Sequence, residues 1–178
     1  SSLARGDTMR LRRTAAAVAA LVAATAAAAP SDPLPVPRGT PRERAISEYN
    51  DGVKLLLERR YAEARPRFES ALALDARLAE AHNNLAFTLR MQGIEHFKRA
   101  MQHYDRAIAL DPKLAVAYLY RGTLLAQVGD RERANADLAA LRTLDASLAD
   151  KLERFMSGTL AAVERDGIAP QLDISRTY

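Results

Sequence analysis

Leu74-Asp75-Ala76-Arg77-Leu78-Ala79 returns as Leu110-Asp111-Pro112-Lys113-Leu114-Ala115, and again as Leu144-Asp145-Ala146-Ser147-Leu148-Ala149. Measured from Asp to Asp, the intervals are 36 and 34 residues. A fixed period of this size marks supersecondary units stacked in series, each burying its apolar side on the next. Such stacks offer an extended face rather than a closed pocket, which turns the functional question toward binding.

Between the repeated phrases the apolar residues recur at helical spacing, and no run alternates as a strand would. The domain is expected to start at Thr40-Pro41-Arg42-Glu43, which has the residues of a capping box with proline at the first helical position. Helices are predicted over 41–59, 61–74, 78–91, 95–110, 113–128 and 131–144, with breaks at Gly93 and at Gly129-Asp130. A last helix is predicted from Ala146 to about residue 165, with Leu148, Leu152, Phe155, Met156, Leu160 and Val163 on one stripe and Gly167 as its stop. Pro66 falls inside a predicted helix, where it removes a hydrogen bond and kinks the axis.

Two helices per 34 residues carry a recurring set of signature residues. Gly52, Tyr61, Ala64, Phe68 and Ala71 form the first set; Leu85, Ala86, Phe97, Ala100, Tyr104, Ala107 and Pro112 form the second. Tyr118, Gly122, Ala134 and Leu138 form the third. On these residues the chain resembles the tetratricopeptide repeat (TPR) family over about 105 residues. The resemblance implies an all-α, right-handed α-solenoid of three helical hairpins closed by a C-terminal capping helix. A small residue in each first helix (Gly52, Ala86, Gly122) is expected to meet a small residue of the second (Ala64, Ala100, Ala134). Phe68, Tyr104 and Leu138 are then expected to fill the gap between units, and the aspartates to cap the following helices. Ala76 and Ala146 stand where the family has proline. The second unit is two residues longer than the period, and the excess falls in the turn around Gly93 to His96.

The resulting organisation is an N-terminal extension and signal peptide over 1–29, a proline-rich linker over 30–40, and a TPR domain over 41–166. Its repeats span about 45–78, 79–114 and 115–148, its capping helix 146–166, and a tail follows at 167–178. The signal reading rests on the basic stretch Met9-Arg10-Leu11-Arg12-Arg13, the alanine-rich apolar run 15–29 and an A-x-A pattern at Ala24-Thr25-Ala26. That run is shorter than a membrane span of about twenty residues. It predicts an exported bacterial protein, periplasmic or secreted, with no membrane attachment after cleavage.

Charge narrows the partners. The chain of 178 residues has 26 basic and 22 acidic residues, but Arg5, Arg10, Arg12, Arg13 and Asp7 lie in the leader. From Pro30 onward 22 basic residues face 21 acidic ones, so the basic balance belongs to the leader and predicts no nucleic-acid partner. There is no cysteine, which excludes disulfides, thiolate metal sites and a cysteine nucleophile.

No nucleophile elbow, phosphate loop, dinucleotide fingerprint or H-E-x-x-H spacing occurs, so no catalytic residue, cofactor or metal is predicted. The alternative from the enzyme class is an envelope processing factor with a site near His96 and His103. A third reading is a structural protein that forms homo-oligomers. The favoured expectation is a non-catalytic scaffold that binds a protein or peptide segment in the concave groove. By resemblance, the groove is lined by Tyr49, Asn50 and Val53 from the first unit, and by Asn83, Asn84, Phe87 and Arg90 from the second. The third unit contributes Leu119, Tyr120 and Thr123. Asn50 and Asn84 occupy equivalent places, where a carboxamide offers a peptide group both donor and acceptor. The basic clamp that some relatives use for a C-terminal carboxylate is not matched, with Val53, Val116 and Tyr120 in its places. The tail segment 168–174 is a further candidate occupant of the groove.

Overall fold

The computed structural model describes residues 39–159. Among these residues seven α-helices follow one another: α1 Pro41–Leu57, α2 Tyr61–Leu74, α3 Ala79–Gln92, α4 Phe97–Leu110, α5 Ala115–Gln127, α6 Arg131–Leu144 and α7 Ala146–Met156. A 3-10 turn, Ile94–His96, joins α3 to α4 and takes up the two extra residues of the second unit. Among the described residues there is no strand.

The start is built as its sequence dictates. Thr40 Oγ1 accepts from the Glu43 N–H at 3.2 Å, the Thr40 N–H donates to Glu43 Oε2 at 2.6 Å, and Pro41 opens the helix. The backbone N–H and hydroxyl of Thr40 hold the Glu43 carboxyl below the ordinary carboxylate range.

Each helix packs antiparallel on the next, α1 on α2, α3 on α4, α5 on α6, and each second helix also packs on the first helix of the following unit. The first helices α1, α3 and α5 touch in series and form one wall, and α7 closes the stack by packing on both α5 and α6. This is an all-α solenoid, with one core running through it from Val53 and Phe68 through Leu85 and Tyr104 to Leu124, Leu141 and Leu152. Pro66 sits inside α2 on its exposed face.

Helix ends follow a shared device. After α5 the Asp130 N–H donates to the Leu125 carbonyl at 2.9 Å across Gly129, which has φ +86°. After α1 the Arg60 N–H reaches the Leu55 carbonyl at 2.9 Å in the same way, but the left-handed position there is Arg59 at φ +58°. The device recurs after α7 at Gly158, φ +73°, and it ends that helix at Met156 rather than near residue 165. The expected stripe residues Leu160 and Val163, and the expected stop Gly167, lie outside the described residues.

The aspartates of the repeated phrase behave in two ways. Asp145 caps α7 as expected, its carboxylate accepting from the N–H groups of Ser147 and Leu148. Asp75 and Asp111 instead accept from the N–H two residues on, Arg77 at 3.0 Å and Lys113 at 2.9 Å. These side-chain turns delay the next helix, so α3 and α5 begin only at Ala79 and Ala115.

The close approach of helices also differs in detail from the small-on-small expectation. A Cβ on Gly52 would stand 2.7 Å from the Phe68 ring, and one on Gly122 would stand 2.6 Å from Leu152 Cδ2 and 3.3 Å from Asp137 Cβ. The missing methyl groups therefore make room for large side chains of α2 and α7. Ala64, Ala100 and Ala134 are fully buried in their own right.

Candidate functional site

The wall made by α1, α3 and α5 carries all ten residues expected to line a groove. Equivalent positions fall into three rows: Tyr49, Asn83 and Leu119; Asn50, Asn84 and Tyr120; Val53, Phe87 and Thr123. The structure divides them by depth. Asn50 is exposed, Tyr49 and Arg90 are half-buried, and Val53, Asn83, Asn84, Phe87, Leu119, Tyr120 and Thr123 are buried.

The two aromatic rings of the deeper group belong to a ladder. Phe87 lies 6.4 Å from Tyr61 and 5.1 Å from Tyr120, centroid to centroid, so it bridges the first and third units. Tyr49 stacks at 5.9 Å on Phe68. Thr123 donates its hydroxyl to the Leu119 carbonyl one turn back at 2.6 Å, and Thr88 does the same to Asn84 at 2.7 Å.

The asparagines form a relay. Asn83 Nδ2 donates to Asn84 Oδ1 at 3.1 Å, and Asn84 Nδ2 donates to the Tyr49 hydroxyl at 3.2 Å. Asn84 is thus engaged at both ends of its amide and ties the second unit to the first. Asn83 Oδ1 is buried and has no hydrogen-bond partner. An amide oxygen left in that state costs about 1–3 kcal/mol. Arg90 projects from the far end of α3, where its Nε donates to Gln127 Oε1 at 2.8 Å.

The histidines resolve differently from the pairing considered for a catalytic site. His96 lies on the 3-10 turn, its Nε2 3.7 Å from Glu95 Oε1. His103 stands seven residues further on, about 10 Å along a helix axis, and turns to His82 of α3, with Nδ1 atoms 2.9 Å apart. Burial lowers the pKa of both, that of His103 to about 4. Among the described residues no group of three or more histidine or carboxylate side chains could hold a metal ion.

A second polar centre escaped the sequence reading. Arg121 on α5 donates Nε and Nη2 to the two oxygens of Asp137 on α6, at 3.0 and 2.6 Å, and Nη1 to Asp105 on α4 at 2.8 Å. Asp137 is 2% exposed and Arg121 also stacks over the Tyr118 ring at 5.7 Å. Burial pushes the Asp137 carboxyl above its ordinary value against the pull of Arg121. The only signal was the helical-hairpin register that sets α5 against α6.

No protein-family profile and no curated protein sequence matches this chain. Solved structures do. The Arabidopsis OM64 TPR domain superposes with TM-score 0.60 at 23% identity, covering 67% of this chain and 99% of its own. The second TPR of Spaghetti (RPAP3), bound to an HSP90 peptide, gives TM-score 0.55 at 26% identity, covering 58% and 94%. The Yersinia enterocolitica type III secretion chaperone SycD, in complex with a peptide of the translocator YopD, gives 0.59 at 15%, covering 66% and 92%. The chain has the tetratricopeptide-repeat fold; two of these three structures are named as TPRs and the third as a secretion chaperone.

Proposed function

We propose that this protein is an exported, non-catalytic interaction module that holds a segment of another protein against the wall of α1, α3 and α5. The fold supports the reading, because two of its solved neighbours are recorded with peptides. One observation carries it: Asn83 Oδ1, at the head of the Asn83–Asn84–Tyr49 relay, is a buried acceptor without a donor. A backbone N–H of a bound segment would supply that donor once the Asn83 amide, closed off in the unbound wall, turns outward to meet it. Arg90 is the one charged residue among the ten, and Gln127 already engages it, so an uncharged segment suits the face better than an acidic terminus.

The test places a photo-crosslinking residue at exposed Asn50 in the exported protein and identifies the captured segment. Asn83→Leu, nearly isosteric, is then expected to weaken binding of that segment about tenfold, with a thermal midpoint within a few degrees of the parent. Unchanged affinity in Asn83→Leu and in Asn50→Arg would remove the face from the assignment.

Export is a separate part of the proposal and rests on the leader features of residues 9–29. Sequencing the N-terminus of the protein recovered from a periplasmic extract is expected to find a chain starting near Pro30. A chain retaining Met9 in the cytoplasm would reject it.

A further inference from the structure

His82 and His103 face one another between α3 and α4, and the tautomer of each is fixed by its surroundings. His82 Nε2 lies 3.2 Å from the Ala76 carbonyl, which can only accept, so Nε2 carries the proton. Nδ1 of neutral His82 is then a bare acceptor. His103 Nδ1, 2.9 Å away, must be the donor. The rings are tilted 31° with centroids 5.2 Å apart. Three pieces of chain are joined in this way: the loop between the first and second units, α3 and α4.

This bond has a limited capacity for protons. One proton can enter at the free Nε2 of His103 and leave the Nδ1–H donor in place. A second proton must occupy His82 Nδ1, and N–H then faces N–H with no lone pair between them. The pair holds while at most one imidazole is charged and breaks when both are.

The surroundings decide that acid opposes the fold here. Arg106 acts on His82, and Arg99 on His103, both raising the cost of added positive charge. The one carboxylate that favours a charged His103 is Glu69 of α2. It is already held by Arg65 Nε at 3.0 Å and Arg99 Nη2 at 3.1 Å. Among the described groups that act on the pair, no counter-charge is left to compensate double protonation.

We propose that the His82–His103 pair is an acid-sensitive latch that closes the second helical hairpin at neutral pH and releases it when both imidazoles are protonated. Both rings titrate below the ordinary value of 6.5 in the folded chain, His103 at about 4. Between those values the unfolded chain binds more protons than the folded one. The latch therefore stabilises fully above pH 6.5 and is lost progressively as pH falls toward 4. His82 immediately precedes Asn83 on the same helix, so loosening α3 also disturbs the proposed binding wall. That last consequence rests on the function proposed above; the latch itself does not.

Two measurements test it without any partner. In nitrogen-detected spectra of the folded protein at pH 7, His82 is expected as the Nε2–H tautomer and His103 as the Nδ1–H tautomer, with both titrating below the ordinary value of 6.5. In urea unfolding followed from pH 7 to pH 4.5, the parent is expected to take up about one to two more protons than the His82→Gln/His103→Gln variant near pH 5.5. Both histidines titrating at the ordinary value in the folded protein overturn the latch, and so does an equal pH slope in parent and variant. The spectra decide the matter on the parent chain if the variant folds poorly.

Discussion

Arg121→Met is expected to lower the unfolding free energy by about 3 kcal/mol at pH 7, the cost of stranding a buried carboxylate. Asp137 is 2% exposed, and the Arg121 fork supplies both of its side-chain hydrogen bonds. The converse change is expected to cost less, about 1–2 kcal/mol for Asp137→Leu. Arg121 keeps Asp105 at 2.8 Å and its side chain is 18% exposed, so its charge retains both a partner and water. Replacing both residues, Arg121→Met with Asp137→Leu, is expected to return stability to within about 1 kcal/mol of the parent. A pH check separates this account from simple loss of packing. The Asp137 carboxyl is already raised above its ordinary value, so its neutral form is the one the fold favours. Without Arg121 that preference grows, and the deficit of Arg121→Met should shrink as pH is lowered from 7 to 5 and the stranded carboxyl takes a proton. Urea midpoints of the four proteins at the two pH values measure this, and a deficit that stays constant with pH would point to lost packing instead.

How much of this molecule the sequence discloses depends on how local the cause is. Helices α2 and α6 run from Tyr61 to Leu74 and from Arg131 to Leu144, as the periodicity predicts, because sharp turns bound both. The start of α5 moves from Lys113 to Ala115 because the Asp111 carboxylate prefers the N–H of Lys113 to a capping role. A residue that can cap or make a turn leaves the choice to its neighbours. The end of α7 is missed because the apolar stripe continues in sequence past Gly158, while the backbone turns left-handed there.

Side-chain depth is less legible than helix position. Spacing places Asn84, Phe87 and Tyr120 on one wall, but not their engagement by residues 26 to 35 positions away. Tyr49 takes the amide of Asn84, and Tyr61 and Tyr120 close on Phe87. The same holds for His82 with His103, 21 residues apart, and for Arg121 with Asp137, 16 apart. Each pair spans the two helices of one hairpin, so the repeat register is the signal that could find them. A search confined to one helix face, such as His96 with His103, cannot.

Phe68→Ala should be among the most damaging single changes, at about 4 kcal/mol, because Phe68 is fully buried and its ring fills the hollow left by Gly52. The hollow makes a reciprocal prediction. Gly52→Ala sets a methyl 2.7 Å from that ring, a distance that one of them must relieve by moving. Overpacking of this kind costs about 1–3 kcal/mol, and the better helix propensity of alanine offsets about 0.5–1 kcal/mol of it. In a Phe68→Leu background the ring edge is gone, so Gly52→Ala should become neutral or stabilising, a coupling of about 1–2 kcal/mol between the sites. Equal cost of Gly52→Ala in both backgrounds would show that the glycine serves some other end than room for the ring. The other units show how the same corner is solved. Ala86 and Tyr104 occupy the equivalent places in the second unit, and both are fully buried with the methyl group in place. In the third unit Leu138 replaces the aromatic residue, and it is Leu152 of α7 that enters the space beside Gly122. The last helix therefore closes the stack by supplying, from outside the repeat, bulk that an aromatic side chain supplies within the first. Loss of the glycine at position 122 should accordingly loosen α7 before it disturbs the α5–α6 hairpin.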